Sequence, residues 1–282
     1  MPRLAAFPKG FFVALVEGRM SVFDWIELAG GLDVDGVELY PLFLESVEAR
    51  HLARVRAEAE RHGLAVPMLC HSPDFTQPDG CARSREVART REMLAVTAEL
   101  GGGHCRVLSG QNRPGLEEAE ATRWVVECLW ELVPAAEAEN VVMCLENHYK
   151  DSLWQHPEFA QSSRRYAAIL DAVDSPWLRA QFDPSNAVVA GEDPYALLER
   201  VAPRVATMHA SDRRLVDGTL EHGVIGEGSN DYDEIFSILA RAGFDGWVSI
   251  EDGEGPTIEI GMENLRRSAS FLRASLARHF PG

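Results

Sequence analysis

The feature that most restricts the fold of this chain is an alternation of short apolar runs with longer amphipathic stretches. Seven of these runs cover residues 36–40, 65–71, 104–109, 141–148, 178–183, 205–209 and 247–251. Each contains a polar or ionisable residue at or near its end, namely Glu38, His71, Ser109, Glu146, Asp183, His209 and Glu251, and these are 33, 38, 37, 37, 26 and 42 residues apart. Such a spacing is about the length of one strand and one helix, so the pattern predicts consecutive strand–helix units.

The segments between the runs carry helical periodicity. Long Ala/Glu/Arg-rich segments over 46–62 and 83–100 are followed by Gly63 and Gly101, which favours helix ends at those points. With a first strand at 4–7 and a first helix at 23–29, the count reaches eight strands and eight helices. Eight such units in about 250 residues predict an α/β fold, a closed (β/α)8 TIM barrel, rather than an open doubly wound sheet.

Motifs and linkers that would change this interpretation are absent from the sequence. No GxGxxG or GxxxxGK[ST] phosphate-binding motif follows any of the apolar runs. No low-complexity segment or charge block divides the chain, so we expect one domain over residues 1–282.

Composition restricts the partners and the compartment. Lys and Arg number 27 and Asp and Glu number 44, which gives a net charge of −17. Such a chain is repelled by nucleic acid and by anionic membrane surfaces, so neither is expected as a partner. The five cysteines include no CxxC pair, which favours a reducing compartment and small buried apolar roles. The apolar stretch over 11–16 is too short to span a membrane, and a cytoplasmic protein is expected.

Ionisable residues end four consecutive predicted strands. They are Glu146, Asp183, His209 and Glu251. In a (β/α)8 barrel, active sites lie at the carboxyl ends of the strands, so these side chains should meet. Three carboxylates in one place repel each other unless a cation lies among them, and this set suits one divalent ion: Mn²⁺, Mg²⁺, Co²⁺ or Zn²⁺.

Five short motifs then occur in a characteristic order. They are Leu145-Glu146-Asn147-His148, Phe182-Asp183-Pro184-Ser185-Asn186, Met208-His209-Ala210-Ser211-Asp212, Ile225-Gly226-Glu227-Gly228 and Ser249-Ile250-Glu251. In this order the chain resembles the xylose isomerase-like TIM-barrel superfamily. This sugar phosphate isomerase/epimerase group includes ketose 3-epimerases, hydroxypyruvate isomerase, inosose dehydratase and apurinic-site endonucleases.

The resemblance implies a single metal held by Glu146, Asp183, His209 and Glu251. It also implies that the two glutamates act as the acid/base pair of a sugar isomerase or epimerase that works through an enediolate. Metal chelation by a carbonyl and the adjacent hydroxyl would acidify the intervening C–H, which agrees with that assignment.

Further residues are candidates for contacts with a small sugar-like substrate. They are His71, His148, Asn186, Arg213, Arg214 and His222. His148 lies two residues after Glu146, so strand alternation directs both side chains to the same side. Arg213 and Arg214 lie in the loop after His209, where relatives often place a basic residue against substrate oxygens or phosphate.

Several functions remain open at this stage. An inosose-dehydratase-type lyase would use the same metal site. A third possible function is that of a sugar-binding protein without turnover. The endonucleases of the superfamily need a histidine three residues after the sixth-strand aspartate, where this chain has Asn186. That departure argues against the nuclease. Relatives often form dimers or tetramers, so a homo-oligomer is an open prediction.

Overall fold

The computed structural model describes residues 1–281 and contains an eight-stranded parallel sheet. The ten strands in chain order are β1 Arg3–Phe7, β2 Gly36–Val37, β3 Met68–Cys70, β4 His104–Val107, β5 Val142–Glu146, β6 Leu178–Phe182, β7 Val205–Ala210, β8 Asp212–Val216, β9 Thr219–Gly223 and β10 Trp247–Glu251. The sheet order is β2-β1-β10-β7-β6-β5-β4-β3, and isolated bridges from Gly36 to Ala65 and from Leu39 to Leu69 join its two edges. The predicted TIM barrel is therefore confirmed.

Helices connect the strands on the outside of the barrel. They are α1 Phe12–Val16, α2 Val22–Ala29, α3 Ala49–Arg61, α4 Gly80–Glu99, α5 Glu118–Glu139, α6 Ser163–Ala172, α7 Pro184–Val189, α8 Pro194–Val201, α9 Tyr232–Arg241 and α10 Ile258–His279. Side-chain caps explain several boundaries: Ser21 and Asp24 form a capping box at the start of α2, and Asp231 accepts the Asp233 and Glu234 amides at the start of α9.

The structure departs from the sequence expectations in four places. Residues 1–281 contain ten helices rather than eight, because the short α1 and α7 precede α2 and α8. Residues 36–40 form a regular strand only at Gly36–Val37, because the barrel closes here through single bridges rather than a continuous ladder. The segment after His209 was expected to be a loop, but β8 and β9 form an antiparallel hairpin. Cys81 is exposed, whereas the other four cysteines are buried as expected.

Strand register brings the predicted strand-end residues to one rim of the barrel. Phe7 pairs with Glu251, and His209 pairs with Ser249 on the neighbouring strand. Because all eight barrel strands are parallel, their carboxyl ends share that rim. None of the helices in residues 1–281 is both long and apolar enough to cross a membrane.

Candidate metal centre

Four side chains from the ends of β5, β6, β7 and β10 meet at this rim. Glu146, Asp183, His209 and Glu251 each offer one ligand atom, and these four atoms all lie within 4.8 Å of one another. All four residues are buried, with Glu251 the most exposed at 5%. The structure thus assembles the complete set that the sequence predicted.

Asp183 is held in place from three directions. Its carboxylate accepts the backbone N–H of Asn186 at 2.9 Å and so caps helix α7. It also accepts the Ser211 hydroxyl at 2.8 and 3.0 Å. The side-chain amide of Asn147 donates to the Asp183 carbonyl and accepts its N–H, which ties the ends of β5 and β6 together.

The His209 imidazole is fixed on one edge and faces the carboxylates with the other. Its Nε2 atom lies 2.8 Å from Glu38 Oε2, while Nδ1 lies 3.2 Å from Glu146 Oε1 and 3.3 Å from Glu251 Oε2. Phe7 stacks on the ring with centroids 5.9 Å apart. If Nε2 carries the proton for Glu38, the Nδ1 lone pair points into the cluster.

Basic side chains hold the two glutamates. Arg106 Nη1 donates to Glu146 Oε2 at 3.1 Å, and Nη2 of the same guanidinium donates to the Ser72 hydroxyl at 2.7 Å. Lys9 Nζ donates to Glu251 Oε1 at 3.1 Å. Burial by itself favours protonated carboxyls here. His148, His209 and Arg106 outweigh burial at Glu146, and Lys9, His209 and His148 do so at Glu251, so the pKa of each glutamate is lowered.

The cluster fits a divalent cation. Burial, and then the charges of Glu251 and Glu146, raise the pKa of Asp183 to about 7, so the protein alone does not easily keep all three carboxylates ionised. Glu146 Oε1 and His209 Nδ1 are buried and make no hydrogen bond with proper geometry within residues 1–281, although they are only 3.2 Å apart. In the tautomer that carries its proton on Nε2, the two atoms present lone pairs to each other, which a metal ion would satisfy. Oxygen donors with one imidazole suit the divalent ions that the sequence predicted.

Two of the predicted substrate residues, His148 and Asn186, lie beside the cluster. His148 is buried and lines a cavity of about 20 Å³ together with Glu251, Phe7, Phe12 and Tyr40. Its Nδ1 atom has no hydrogen-bond partner in residues 1–281. Asn186 is also buried, directly beside Asp183, which its backbone N–H contacts.

His71 borders a separate, larger cavity. That cavity has a volume of about 310 Å³ and includes Trp154, Gln111, Tyr40 and Asp151 in its lining, the last two of which also line the small one. His71 is 4% exposed with an unpartnered Nε2, and burial lowers its pKa to about 3, so the ring is neutral.

The three residues predicted on the segment after His209 lie on the β8–β9 hairpin. Arg213 Nη2 is 3.0 Å from His222 Nε2, and Arg214 is exposed. Arg214 and His222 line a third cavity of about 300 Å³ with Glu254. Neither arginine lines the small cavity beside Glu251, so their contact with substrate stays a prediction.

The sequence analysis did not assign four residues to this site. Glu38 was recognised only as a strand marker, and Lys9, Arg106 and Lys150 were given no role. Arg106 did leave a signal, because it is a charged residue inside the apolar run over 104–109. Glu38 contacts His209 and Lys9 contacts Glu251 from far along the chain, which a single sequence does not reveal.

Comparison with known proteins identifies the class. Residues 24–275 match the family described as xylose isomerase-like TIM barrel, and the chain belongs to this family.

Individual relatives are more distant. An alignment over 128 residues to an inosose dehydratase from Bacillus thuringiensis (strain Al Hakam) shows 27% identity and covers 40% of this chain and 43% of that protein. The match thus spans less than half the length of that curated relative. The structure resembles D-psicose 3-epimerase from Clostridium cellulolyticum H10 with D-tagatose, with a TM-score of 0.77, 16% identity and coverage of 97% of this chain and 99% of that one. It also resembles the IOLI protein with a bound zinc atom, with a TM-score of 0.79, 17% identity and coverage of 99% and 100%. These structural likenesses show a shared fold.

Proposed function

We propose that this chain is a divalent-metal-dependent isomerase or epimerase of small keto-sugars, polyols or sugar acids. The observation that carries the proposal is the position of two glutamates around one imidazole. Oxygens of Glu146 and Glu251 lie 3.2 and 3.3 Å from Nδ1 of His209. Asp183 completes the set, and the zinc atom in the similar IOLI structure supports a metal at such a site.

Glu146, Asp183, His209 and Glu251 would hold the ion. When bound, a divalent cation supplies a Lewis acid that polarises the carbonyl of an α-hydroxy ketone and acidifies the adjacent C–H. One of the two glutamates then removes the proton from the carbon that bears the hydroxyl, which leaves an enediolate, and the other glutamate returns a proton. Return to the opposite face of the same carbon gives the epimer. Return to the former carbonyl carbon, with transfer of the hydroxyl proton to the former carbonyl oxygen, gives the isomer.

The residues around the two glutamates orient them and favour their ionised form. Arg106 and Lys9 each hold one carboxylate oxygen, which orients the carboxylates and favours their ionised form. Phe7, Phe12 and Tyr40 form aromatic walls of the small cavity and exclude bulk water from the reacting atoms.

A dehydratase is the second candidate, because the curated relative matched over 128 residues is an inosose dehydratase. It would begin with the same proton removal next to a ketone. The hydroxyl on the β-carbon would then leave with a proton as water, and an unsaturated ketone would form.

Deuterium exchange separates the two reactions. The metal-loaded protein is incubated in D₂O with ketohexoses, pentuloses, inososes and their phosphates, and products are followed by NMR and ultraviolet absorbance. Deuterium incorporation with an epimer or isomer as product supports the proposal. A new enone or diketone absorbance would overturn it in favour of the dehydratase. Absence of both reactions across the screen would also overturn it and favour a sugar-binding protein without turnover.

Substitution of the glutamates tests the acid/base assignment. We expect Glu146→Gln and Glu251→Gln to reduce exchange by about 10²- to 10⁴-fold at saturating metal. Metal content is measured in parallel, so that loss of the ion is not mistaken for loss of the base. Glu263→Gln, on the outer face of α10, is the matched control and should leave exchange unchanged.

A further inference from the structure

Both lysines of this chain line the small cavity beside the candidate metal centre. Among 27 Lys and Arg residues, only Lys9 and Lys150 are lysines. Together they border the cavity of about 20 Å³ that also contacts Glu251 and His148. The presence of both lysines at one small cavity is notable in a chain with a net charge of −17.

Lys150 has no anionic partner in the part of the chain that the structure describes. Within residues 1–281, no carboxylate oxygen lies within 4.0 Å of its ammonium group, although the residue is half-buried. The adjacent carboxylate, Asp151, is already occupied, since it accepts the Ser72 hydroxyl at 2.6 Å and the Leu153 N–H at 2.8 Å. The Lys150 charge is therefore available to a molecule in the cavity.

Lys9 has more hydrogen-bond donors than its contact with Glu251 uses. Its ammonium group has three N–H donors, and within residues 1–281 it makes one hydrogen bond, to Glu251 Oε1 at 3.1 Å. Arg106, the remaining cation of the cavity, is occupied by Glu146 and Ser72. The two lysines are thus the groups free to contact a further anion.

We propose that this cavity binds the carboxylate of an acidic sugar, with Lys150 as its main contact and Lys9 as its second. A partly desolvated ammonium without a counter-charge is costly, and a bound carboxylate removes that cost. A neutral sugar would leave the charge unpaired, so the site discriminates against it. A volume of about 20 Å³ is little more than one water molecule needs, so the smaller, planar carboxylate is favoured over a tetrahedral phosphoryl group.

This inference rests on the proposed function for the identity of the site, but its test needs no turnover. Binding of D-gluconate, D-glucitol and D-glucitol 6-phosphate to the Mn²⁺-loaded protein is measured by calorimetry. We expect D-gluconate to bind at least about tenfold more tightly than D-glucitol, as for a charge-assisted hydrogen bond. The advantage should shrink as ionic strength rises.

Substitutions separate the lysines from the metal, which also attracts carboxylates. Lys150→Gln should abolish most of the preference for D-gluconate, and Lys150→Arg should restore part of it because the charge returns. Arg164→Gln is the control for removal of a positive charge, since Arg164 is 72% exposed and pairs with Glu118 on the outside of the barrel. Metal affinity, measured by chelator competition, should be the same in wild type and all three variants.

The outcomes are distinct. Equal affinity for D-gluconate and D-glucitol in wild type overturns the inference, as does a preference that survives in Lys150→Gln. Tighter binding of D-glucitol 6-phosphate than of D-gluconate overturns the assignment of a carboxylate. A lysine-dependent preference for D-gluconate without any exchange activity supports the inference while the proposed function fails.

Discussion

Glu38 Oε2 lies 2.8 Å from His209 Nε2, on the opposite edge of the imidazole from the Nδ1 atom that faces Glu146 and Glu251. Both Glu38 and His209 are completely buried, and Cys70 Sγ lies 3.5 Å from the same Glu38 oxygen. A carboxylate in this position selects the tautomer, orients the ring and raises its basicity as a ligand. Glu38 therefore acts on the candidate metal centre without being one of its four ligands.

The first prediction concerns this carboxylate. Glu38→Gln should lower the affinity for Mn²⁺ or Zn²⁺ by about 10- to 100-fold, because the amide is a weaker acceptor for Nε2–H. Competition against a fluorescent chelator measures the affinity. Glu27→Gln, on the exposed face of α2, should leave it unchanged. An affinity in Glu38→Gln equal to that of wild type would show that Glu38 does not tune the histidine.

The second prediction concerns the buried ion pair between Arg106 and Glu146, whose side chains are 4% and 0% exposed. Arg106→Met removes the cation and leaves a buried carboxylate, which should lower the free energy of unfolding by about 3–5 kcal/mol in urea titrations without metal. The exposed Arg123 pairs with Glu127 at 3.1 Å, and Arg123→Met should cost at most about 1 kcal/mol. Similar losses in both variants would argue against a special role for the buried pair.

The third prediction follows from Glu158, a buried carboxyl outside the metal centre. Its Oε1 accepts the N–H and hydroxyl of Ser109 at 2.7 and 2.5 Å, yet burial raises its pKa from the ordinary 4.5 to about 8. Since the folded state binds the proton more tightly, this group's contribution to stability is full below pH 4.5 and is lost as the pH rises to about 8.

Glu158→Gln isolates this dependence. The difference in unfolding free energy between wild type and the variant should change by a few kcal/mol between pH 5 and pH 8.5, with wild type losing stability relative to the variant. Other titrating groups are common to both proteins and cancel. A difference that does not vary with pH would show that Glu158 is ionised in the folded protein throughout this range.

The barrel could be predicted from the sequence because the pattern that specifies it is local. Strand–helix alternation is repeated along the chain, and the parallel arrangement brings strand ends to one rim. Glu146, Asp183, His209 and Glu251 each end a strand, so knowledge of the fold was enough to bring them together. No distance between side chains was needed for that inference.

The supporting contacts depend on tertiary packing instead. Lys9 reaches Glu251 across 242 positions of sequence, and Glu38 reaches His209 across 171. The β8–β9 hairpin also left no clear strand signal, because its sequence is polar and its outer face is exposed. Its position depends on hydrogen bonds to Asp212 rather than on burial of an apolar face.

Those hydrogen bonds give the last prediction. The Asp212 carboxylate is buried and accepts the backbone N–H groups of Gly226 and Gly228 at 3.0 Å each, and that of Asn230 at 3.2 Å. Asp212→Ala leaves these donors without a partner, which costs about 1–3 kcal/mol. We expect the free energy of local opening of the hairpin to fall by this amount. Trypsin cleavage after Arg214, in the exposed part of β8, should therefore accelerate by about 5- to 150-fold, since cleavage follows the population of the open form. Glu221→Ala on the exposed part of β9 is the control and should be cleaved at the wild-type rate. Equal cleavage rates for Asp212→Ala and wild type would mean that the hairpin is held by other contacts.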